Sequence, residues 1–546
     1  MPSVGELLVS ALREHAVEVV FGIPGTHNLG IYAHLDGYGL RHITPRHEQG
    51  AGYAADGYAR VSGRPGVVIT TSGPGLLNAA AAVGQAYSDS VPLLLISPGM
   101  PLAHHPGAGL LHETRDQSAA LAAVCAASHR VTDPAALPAL VAEIFASFAT
   151  GRPRPVHLEI PYDLIDRVVD APPAAPLRTG ARPPDAEAAD RAAAFLAAAE
   201  RPVIVAGGGA RGAGAEVRAL AELLGAPVVT TANGKGVLAE SHRLALGATL
   251  HVPAVQELLA ACDAVLAVGT ELSETDTWNG PLRLGGALVR VDTDPGQLHR
   301  NSPAAHPLAG DSAETLSALL VRLRPTDGPP VPRGGAETPQ GRPARSAAAF
   351  RDARAGVRAY GRRWHGIVGA LREALPEDAV LTNDSAMACY FGAIAGFPVE
   401  RPGRFLYPTG FGTLGYALPA AIGAALARPG RPVAALSGDG GFQFSVNELA
   451  TAVELGVPLP VVVVSNGGYG MIRREMTDRG QKPLGVDLTP PDFVALSRAY
   501  GGHGVHVGSP AELRDAVRHA LSVPGPTLVV VPEPPMPDGA PDAAEE

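Results

Sequence analysis

A chain of 546 residues is too long for one hydrophobic core, and three or four folding units are expected from length alone. With 46% hydrophobic and 18% charged residues it has the balance of a well-buried globular protein, and a net charge of −10 leaves no basic footprint for nucleic acid. Cys125, Cys262 and Cys389 stand far apart with no CxxC or CxxH spacing, which argues against a disulfide framework or a zinc site and fits a reducing cytoplasm.

The first seventeen residues, MPSVGELLVSALREHAV, carry acids and bases within a helical pattern of Val4, Leu7, Leu8, Ala11 and Leu12. This is an amphipathic helix of a folded unit and not a signal peptide. No apolar run approaches the roughly 20 residues that span a bilayer, so no membrane partner is expected. From Val4 to about Val169, helices alternate with short apolar runs at Val17–Phe21, Gly66–Thr70, Pro92–Ile96 and Val156–Ile160. That alternation predicts a doubly wound α/β unit with a parallel sheet over residues 1–170. Pro172–Pro184 reads as a linker. A second α/β unit, 185–324, has strands at Pro202–Ala206, Pro227–Thr230, Ala264–Val268 and Ala287–Val291. Residues 325–346, beginning PTDGPPVPRGG, have little to bury and read as a longer linker. The third unit runs over 347–532, and the acidic, proline-containing residues 533–546 read as a frayed tail.

The first and third units echo one another. VVITTSGPG at Val67–Gly75 matches VAALSGDGG at Val433–Gly441, and VPLLLISPG at Val91 matches LPVVVVSNGG at Leu459. Ser437 follows Ser72 by 365 residues and Ser465 follows Ser97 by 368, so the two echoes keep nearly the same register. Two echoes in register favour a duplicated domain.

The richest chemistry lies in Ser437–Arg473. Val433–Leu436 reads as a buried strand that breaks at Gly438-Asp439-Gly440-Gly441, Asn447–Leu455 has the apolar spacing of a covering helix, and the strand Pro460–Val464 stops at Ser465-Asn466-Gly467-Gly468. Parallel strands joined by a helix bring both carboxyl-end corners to one sheet edge, where open α/β sheets bind ligands. One corner offers a carboxylate, the other an amide and a backbone carbonyl between glycines. Hard oxygen donors of this kind suit Mg²⁺ holding a diphosphate. Two ordinary glycine turns would also produce such a pattern.

GDG followed by twenty-five residues and then Asn466 with GGYGM resembles the metal–diphosphate motif of thiamine diphosphate (ThDP) enzymes. The resemblance implies a pyrimidine-binding domain, a middle domain and a diphosphate-binding domain, in that order, and it covers essentially the whole chain. It implies Asp439 and Asn466 as side-chain metal ligands and Gly468 as a carbonyl ligand, with Gly438, Gly440, Gly441, Tyr469, Gly470 and Met471 around the cofactor. Ser465 stands where many relatives have a second Asn. Glu48, within TPRHEQGAG, would hydrogen-bond the pyrimidine ring nitrogen and drive the imino tautomer that deprotonates the thiazolium. Taken alone, a glutamate there is more often a helix-start charge than a catalyst. Gly410-Phe411-Gly412-Thr413-Leu414-Gly415 resembles the loop that bends the cofactor, with Leu414 as the wedge between its rings and the Gly412 carbonyl accepting from its amino group.

His27, with Gly25 and Thr26, closes the first strand, and His104-His105 lies in a loop after Pro92–Ile96. Loop histidines are usually solvated, but decarboxylases of the pyruvate type carry a His pair in a similar loop. They also carry acids where Thr26 and Ile472 stand here, which argues against a strict pyruvate decarboxylase. Gly470–Arg473 is closer to acetolactate synthases. TPRHEQGAGYAADGYARVSG and LHETRDQ are nearest the 5-guanidino-2-oxopentanoate decarboxylase branch, and LHETRDQ adds Glu113, Asp116 and Gln117 as candidate substrate groups. Gly207–Gly212 has GxGxxG spacing after a strand, but the next strand ends in Thr231-Ala232-Asn233 and not in the acid that binds a ribose, which argues against NAD. GTELSETDTWNG replaces the segment expected of FAD-binding acetolactate synthases, which makes FAD doubtful. The resulting expectation is a cytoplasmic homodimer or homotetramer that uses ThDP and Mg²⁺ to decarboxylate a small 2-oxo acid through an enamine. Carboligation of the acetolactate synthase type is the alternative, and a flavin or NAD oxidoreductase stands further back.

Overall fold

The computed structural model describes residues 1–278, 280–324 and 344–534. The expected linker therefore lies outside the described residues up to 343, and the helix Ala344–Ala359 already begins within its last three positions. The tail beyond 534 likewise lies outside them.

Among the described residues there are three six-stranded sheets, all of whose pairings are parallel. The first holds β1 (Val19–Gly22), β2 (Arg41–Ile43), β3 (Gly66–Ile69), β4 (Leu93–Gly99), β5 (Ala127–Arg130) and β6 (Val156–Pro161), in the order β2-β1-β3-β4-β6-β5. The second holds β7 (Pro202–Ala206), β8 (Val228–Thr230), β9 (Ala245–Ala248), β10 (Ala264–Val268), β11 (Ala287–Asp292) and β12 (His306–Ala309), in the order β12-β11-β10-β7-β8-β9. The third holds β13 (Val380–Asn383), β14 (Phe405–Leu406), β15 (Val433–Gly438), β16 (Leu459–Ser465), β17 (His503–His506) and β18 (Pro526–Pro532), in the order β14-β13-β15-β16-β18-β17. Counted from its own first strand, the third sheet repeats the order of the first. The echoing segments β3 and β15, and β4 and β16, occupy matching places in the two sheets.

The strands legible from sequence are the central ones, because burial on both faces leaves a continuous apolar run. The edges β5 (ASHR), partly buried, and β17 (HGVH), largely exposed, are polar, as edge strands are, and carry no such run. Helices cover both faces. The Glu48–Ser62 and Ala417–Ala427 helices pack closely, and their side chains join a single core shared by the first and third units. Glycines permit the approach: a Cβ on Gly57 would overlap the Ala420 carbonyl, and one on Gly423 would overlap that of Ala54. Both helices start beside segments that carry the candidate chemistry. Their crossing therefore fixes where the two candidate corners of one chain sit relative to each other.

Candidate active site

At the carboxyl end of β15, Asp439 is buried and opens a single helical turn, Asp439–Phe442. Its Oδ2 accepts from Ser465 Oγ (3.1 Å), Asn466 N (3.1 Å) and Gly467 N (2.8 Å), while Oδ1 accepts only from Gly440 N (2.9 Å). The turn after β16 is thus folded around this carboxylate. Ser465 contributes through its hydroxyl. Asn466 Oδ1 accepts from Gly468 N (3.2 Å), and its amide nitrogen lies so close to Gly470 that a Cβ there would overlap it. Gly467 (φ 76°) and Gly468 (φ 149°) hold the left-handed conformations that favour glycine, and a Cβ on Gly468 would overlap the Val486 carbonyl. The Gly468 carbonyl faces Gly440, 3.1 Å from where a Cβ would stand, and the Tyr469 ring is 3.0 Å from the same point. The corner is therefore a cradle with no room for side chains, presenting a carboxylate oxygen, an amide oxygen and a backbone carbonyl. Such a donor set fits a hard divalent cation. Among the described residues no cluster of three His, Cys, Asp or Glu side chains competes with it. Met471, half-buried, packs towards the adjoining core.

The loop Gly410–Gly415 reaches this cradle. Leu414 Cδ2 lies 3.5 Å from the point a Gly441 Cβ would occupy. Gly415 (φ 81°) donates its N–H to both oxygens of Asp384 (3.0 and 3.1 Å), a buried carboxyl that also accepts from Ser437 Oγ (2.8 Å). Burial pushes that carboxyl upward, against the donors that hold it. Gly412 (φ 61°) has open space where a side chain would be, and Thr413 Oγ1 bonds the Tyr53 hydroxyl.

Glu48 is the first residue of its helix and is buried. Its helix is capped by His47, whose Nδ1 accepts from Gln49 N (3.1 Å), and the Glu48 carboxylate accepts from Asn78 Nδ2 (3.0 Å) across the interhelix space. It also lies 3.1 Å from the point a Gly75 Cβ would fill. Burial and the charge of Glu48 together push the Tyr32 phenol upward.

A third group gathers at the carboxyl ends of β1 and β3, where the strand order reverses and open α/β sheets bind ligands. His27 Nδ1 bonds Ser72 Oγ (2.6 Å), and its ring stacks on Tyr162 (4.6 Å between centroids) and meets His112 edge-on (5.3 Å). Desolvation, and secondarily His112, lower the His27 imidazole below its usual range. Gly25 N donates to Asn28 Oδ1 (2.8 Å), and Thr26 is exposed at the loop tip. Gln117 Oε1 accepts from Gly73 N (3.3 Å) and its Nε2 donates to the Pro98 carbonyl (2.7 Å), tying this corner to β4.

The Glu113 carboxylate accepts from the N–H groups of Gly107, Gly109 and Leu110 and faces His104 Nε2 at 2.9 Å. Its oxygens are thereby occupied within its own loop. His105 is exposed, and no described hydrogen bond or ring contact joins it to His27. The imidazole that does meet His27 is His112, inside LHETRDQ but not singled out there. It sits at φ 62°, a turn that brings its backbone over Gly73 and that no residue type announces. Asn78, Ser72 and Asp384 were also missed, since each acts through a long-range contact. Asp116 caps the short Gln117–Ala122 helix through its side chain.

The GxGxxG loop contributes Gly208, Gly209 and Gly212 to a cavity of about 1200 Å³ between the three units, which Thr409 and Gly410 also line.

Three parallel sheets thus carry an oxygen-donor cradle at one strand edge and a buried glutamate at a second. The thiamine pyrophosphate enzyme family models match in three pieces: the N-terminal TPP binding domain over residues 2–120, the central domain over 189–319 and the C-terminal TPP binding domain over 386–531. The chain belongs to this family. It is 46% identical to the probable 2-ketoarginine decarboxylase AruI of Pseudomonas aeruginosa, over 91% of this chain and 88% of that one. It is 31% identical to a probable acetolactate synthase large subunit of Methanocaldococcus jannaschii (94% and 89% covered) and 32% identical to an acetolactate synthase of Arthrospira platensis (96% and 93%).

Proposed function

We propose that this enzyme is a Mg²⁺- and ThDP-dependent 2-oxo acid decarboxylase whose substrate is 2-ketoarginine, that is 5-guanidino-2-oxopentanoate, or a close relative. Residues 1–170, 185–324 and 347–532 would be its pyrimidine, middle and diphosphate-binding domains. The observation that carries decarboxylation over carboligation is the 46% identity to a probable decarboxylase, against 29–33% to acetolactate synthases.

Asp439, the Asn466 amide oxygen and the Gly468 carbonyl would hold the metal, with Gly438, Gly440, Gly441, Tyr469, Gly470 and Met471 shaping the cofactor seat. ThDP supplies an electron sink for the pair left when CO₂ departs. Leu414 would wedge the two rings and the Gly412 carbonyl would accept from the amino group. Glu48, buried and bonded to Asn78 of another helix, would exchange a proton with the pyrimidine nitrogen. His27, with Ser72 and His112, would deliver or orient protons at the substrate carbon. Gly25, Thr26 and Gln117 would line its approach, while His104 and Glu113 would act through the shape of their loop.

No described hydrogen bond or ion pair links Glu48 to Asp439, Asn466 or Gly468 within one chain. Exposed apolar side chains stand beside each part of the site: Leu77 next to Asn78, Phe411 next to Gly412, and Ile472 beyond Met471. Apolar groups exposed beside functional groups are suited to being covered by a partner. A homodimer that joins the pyrimidine face of one chain to the diphosphate face of another satisfies both observations.

The test is a panel of 2-oxo acids, with products identified by mass spectrometry. The guanidino acid should yield CO₂ and 4-guanidinobutanal with the highest kcat/KM. Acetolactate from pyruvate as the main product would favour the carboligase reading instead.

A further inference from the structure

The loop that carries Gly412 and Leu414 hangs between two buried carboxylates. Its downstream end is held by Asp384, which belongs to the same unit. Its upstream end is held from the first unit by Asp89, the residue that ends the Pro74–Ser88 helix. Asp89 Oδ1 accepts from Gly410 N (2.9 Å), and Oδ2 accepts from Thr409 N (3.1 Å), Gln85 Nε2 (2.7 Å) and Arg60 Nη2 (2.8 Å). Its side chain is only 2% exposed and that of Arg60 only 3%. Arg60 is fixed in turn by Asp56 (Nε to Oδ1, 2.6 Å) and by Asn233 of the middle unit (Nη1 to Oδ1, 2.7 Å). Gly410 presses so closely on this helix end that a Cβ would stand 2.6 Å from Ser88 Cβ.

Between the clamps the Phe411 ring lies against Gly84 of the same helix, 2.9 Å from where a Cβ would stand. Phe411 is half-exposed, Gly412 has open space around it, and Thr413 is tied through Tyr53. Charge-assisted hydrogen bonds from backbone N–H groups to a buried carboxylate are short and directional, so they set position as well as stability.

We propose that Asp89 is a positioning residue for the reaction: paired with Arg60, it sets the height of the 410–415 loop over the Gly438–Gly441 turn and so the placement of Gly412 and Leu414. The proposal rests on the reading of that loop as the one that seats the cofactor. It assigns the first unit a second task, holding a loop of its own chain's third unit from behind.

Asp89→Asn keeps the shape but gives up one acceptor oxygen, leaving Gly410 N or Thr409 N facing an NH₂ group. In the apoenzyme, hydrogen exchange of the peptide spanning 408–416 should accelerate about tenfold or more. In the holoenzyme kcat should fall by about 10- to 100-fold, the scale of an ångström-sized misplacement, with KM for the 2-oxo acid little changed. The near-ultraviolet circular dichroism of the bound cofactor should change with it. Gly410→Ala displaces the loop from the other side without touching the charges, and should move the same readouts should Asp89→Asn fold poorly. Glu240→Gln breaks a different buried ion pair, with Lys235, and should lower the melting temperature while leaving loop exchange and kcat as in the wild type. If Asp89→Asn and Gly410→Ala lower only the melting temperature, as Glu240→Gln does, Asp89 is interface cement and the proposal falls. If Leu414→Ala itself leaves ThDP binding and turnover unchanged, it is the reading of the loop that has failed.

Discussion

Glu48 has the sharpest single-residue consequence. A glutamate at a helix start ordinarily serves its own first turn, yet this carboxylate is buried and bonded to Asn78 of another helix. Replacing it by Gln keeps size and hydrogen bonding and removes proton exchange. Positioned acid–base groups supply about 10²–10⁴ in rate, and turnover of Glu48→Gln should fall on that order. Exchange of the thiazolium C2 proton for deuterium, followed by quenching and NMR, should slow in parallel, and His27→Ala or His112→Ala should leave that exchange nearly intact. Wild-type exchange in Glu48→Gln would return the residue to a helix-start role. The residues legible in the sequence were those bound into contiguous motifs, GDGG and NGGYGM above all, because their glycines report close backbone approach directly. His112, Asn78 and Asp89 were not legible. Each acquires its partner from a different segment, and a histidine at positive φ or an aspartate at a helix end looks like surface until the fold brings Ser72, Glu48 or Thr409 to it.

Among elements, the crossing of the Glu48–Ser62 and Ala417–Ala427 helices bears most on the site. A helix starting at Glu48 was legible in the sequence, but its contact with the Ala417–Ala427 helix was not, since alanine and glycine runs carry no partner information. A Cβ on Gly423 overlaps a backbone carbonyl, which has no rotamer with which to yield. Gly423→Ala should therefore cost at least the roughly 1–3 kcal/mol typical of overpacking, read as a fall in melting temperature. Turnover should drop as well, because the helix starts are displaced with the crossing. An unchanged melting temperature would mean that the two units meet less closely than described. The strand β6 supplies a pH effect of known sign. His157 is fully buried between Ser97 Oγ (2.9 Å) and Ser128 Oγ (2.7 Å), and desolvation, aided by His129, depresses it to about 3. Below its unfolded value of 6.5 the unfolded chain binds a proton that the folded chain refuses. The stabilisation is complete above that pH and is lost at about 1.4 kcal/mol per pH unit as pH falls. His157→Gln should flatten the decline of melting temperature between pH 7 and pH 5, and an unaltered slope would show that this imidazole takes up its proton without unfolding.

At the scale of the molecule, the matching strand orders of the first and third sheets explain why two halves of one site can reside at equivalent corners of related units. A chain in which no described hydrogen bond or ion pair joins Glu48 to Asp439, Asn466 or Gly468 has each group ready for a partner. If sites are composite, two inactive variants complement one another. Glu48→Gln should retain ThDP but turn over slowly, whereas Asp439→Ala should lose metal-dependent ThDP retention, because the diphosphate charge then meets no bridging cation. Mixed and allowed to exchange subunits, a heterodimer of the two has one site bearing both substitutions and one bearing neither. Random pairing then restores about a quarter of the wild-type sites. Were each site built within a single chain, every site in the mixture would carry one substitution, and activity would remain at the level of the parents. Light scattering on the same samples checks that dimers are present. Restored turnover that appears only after subunit exchange, and that titrates with the ratio of the two variants, would establish that each site is shared between two chains; silence from a mixture shown to contain heterodimers would place the whole site in one.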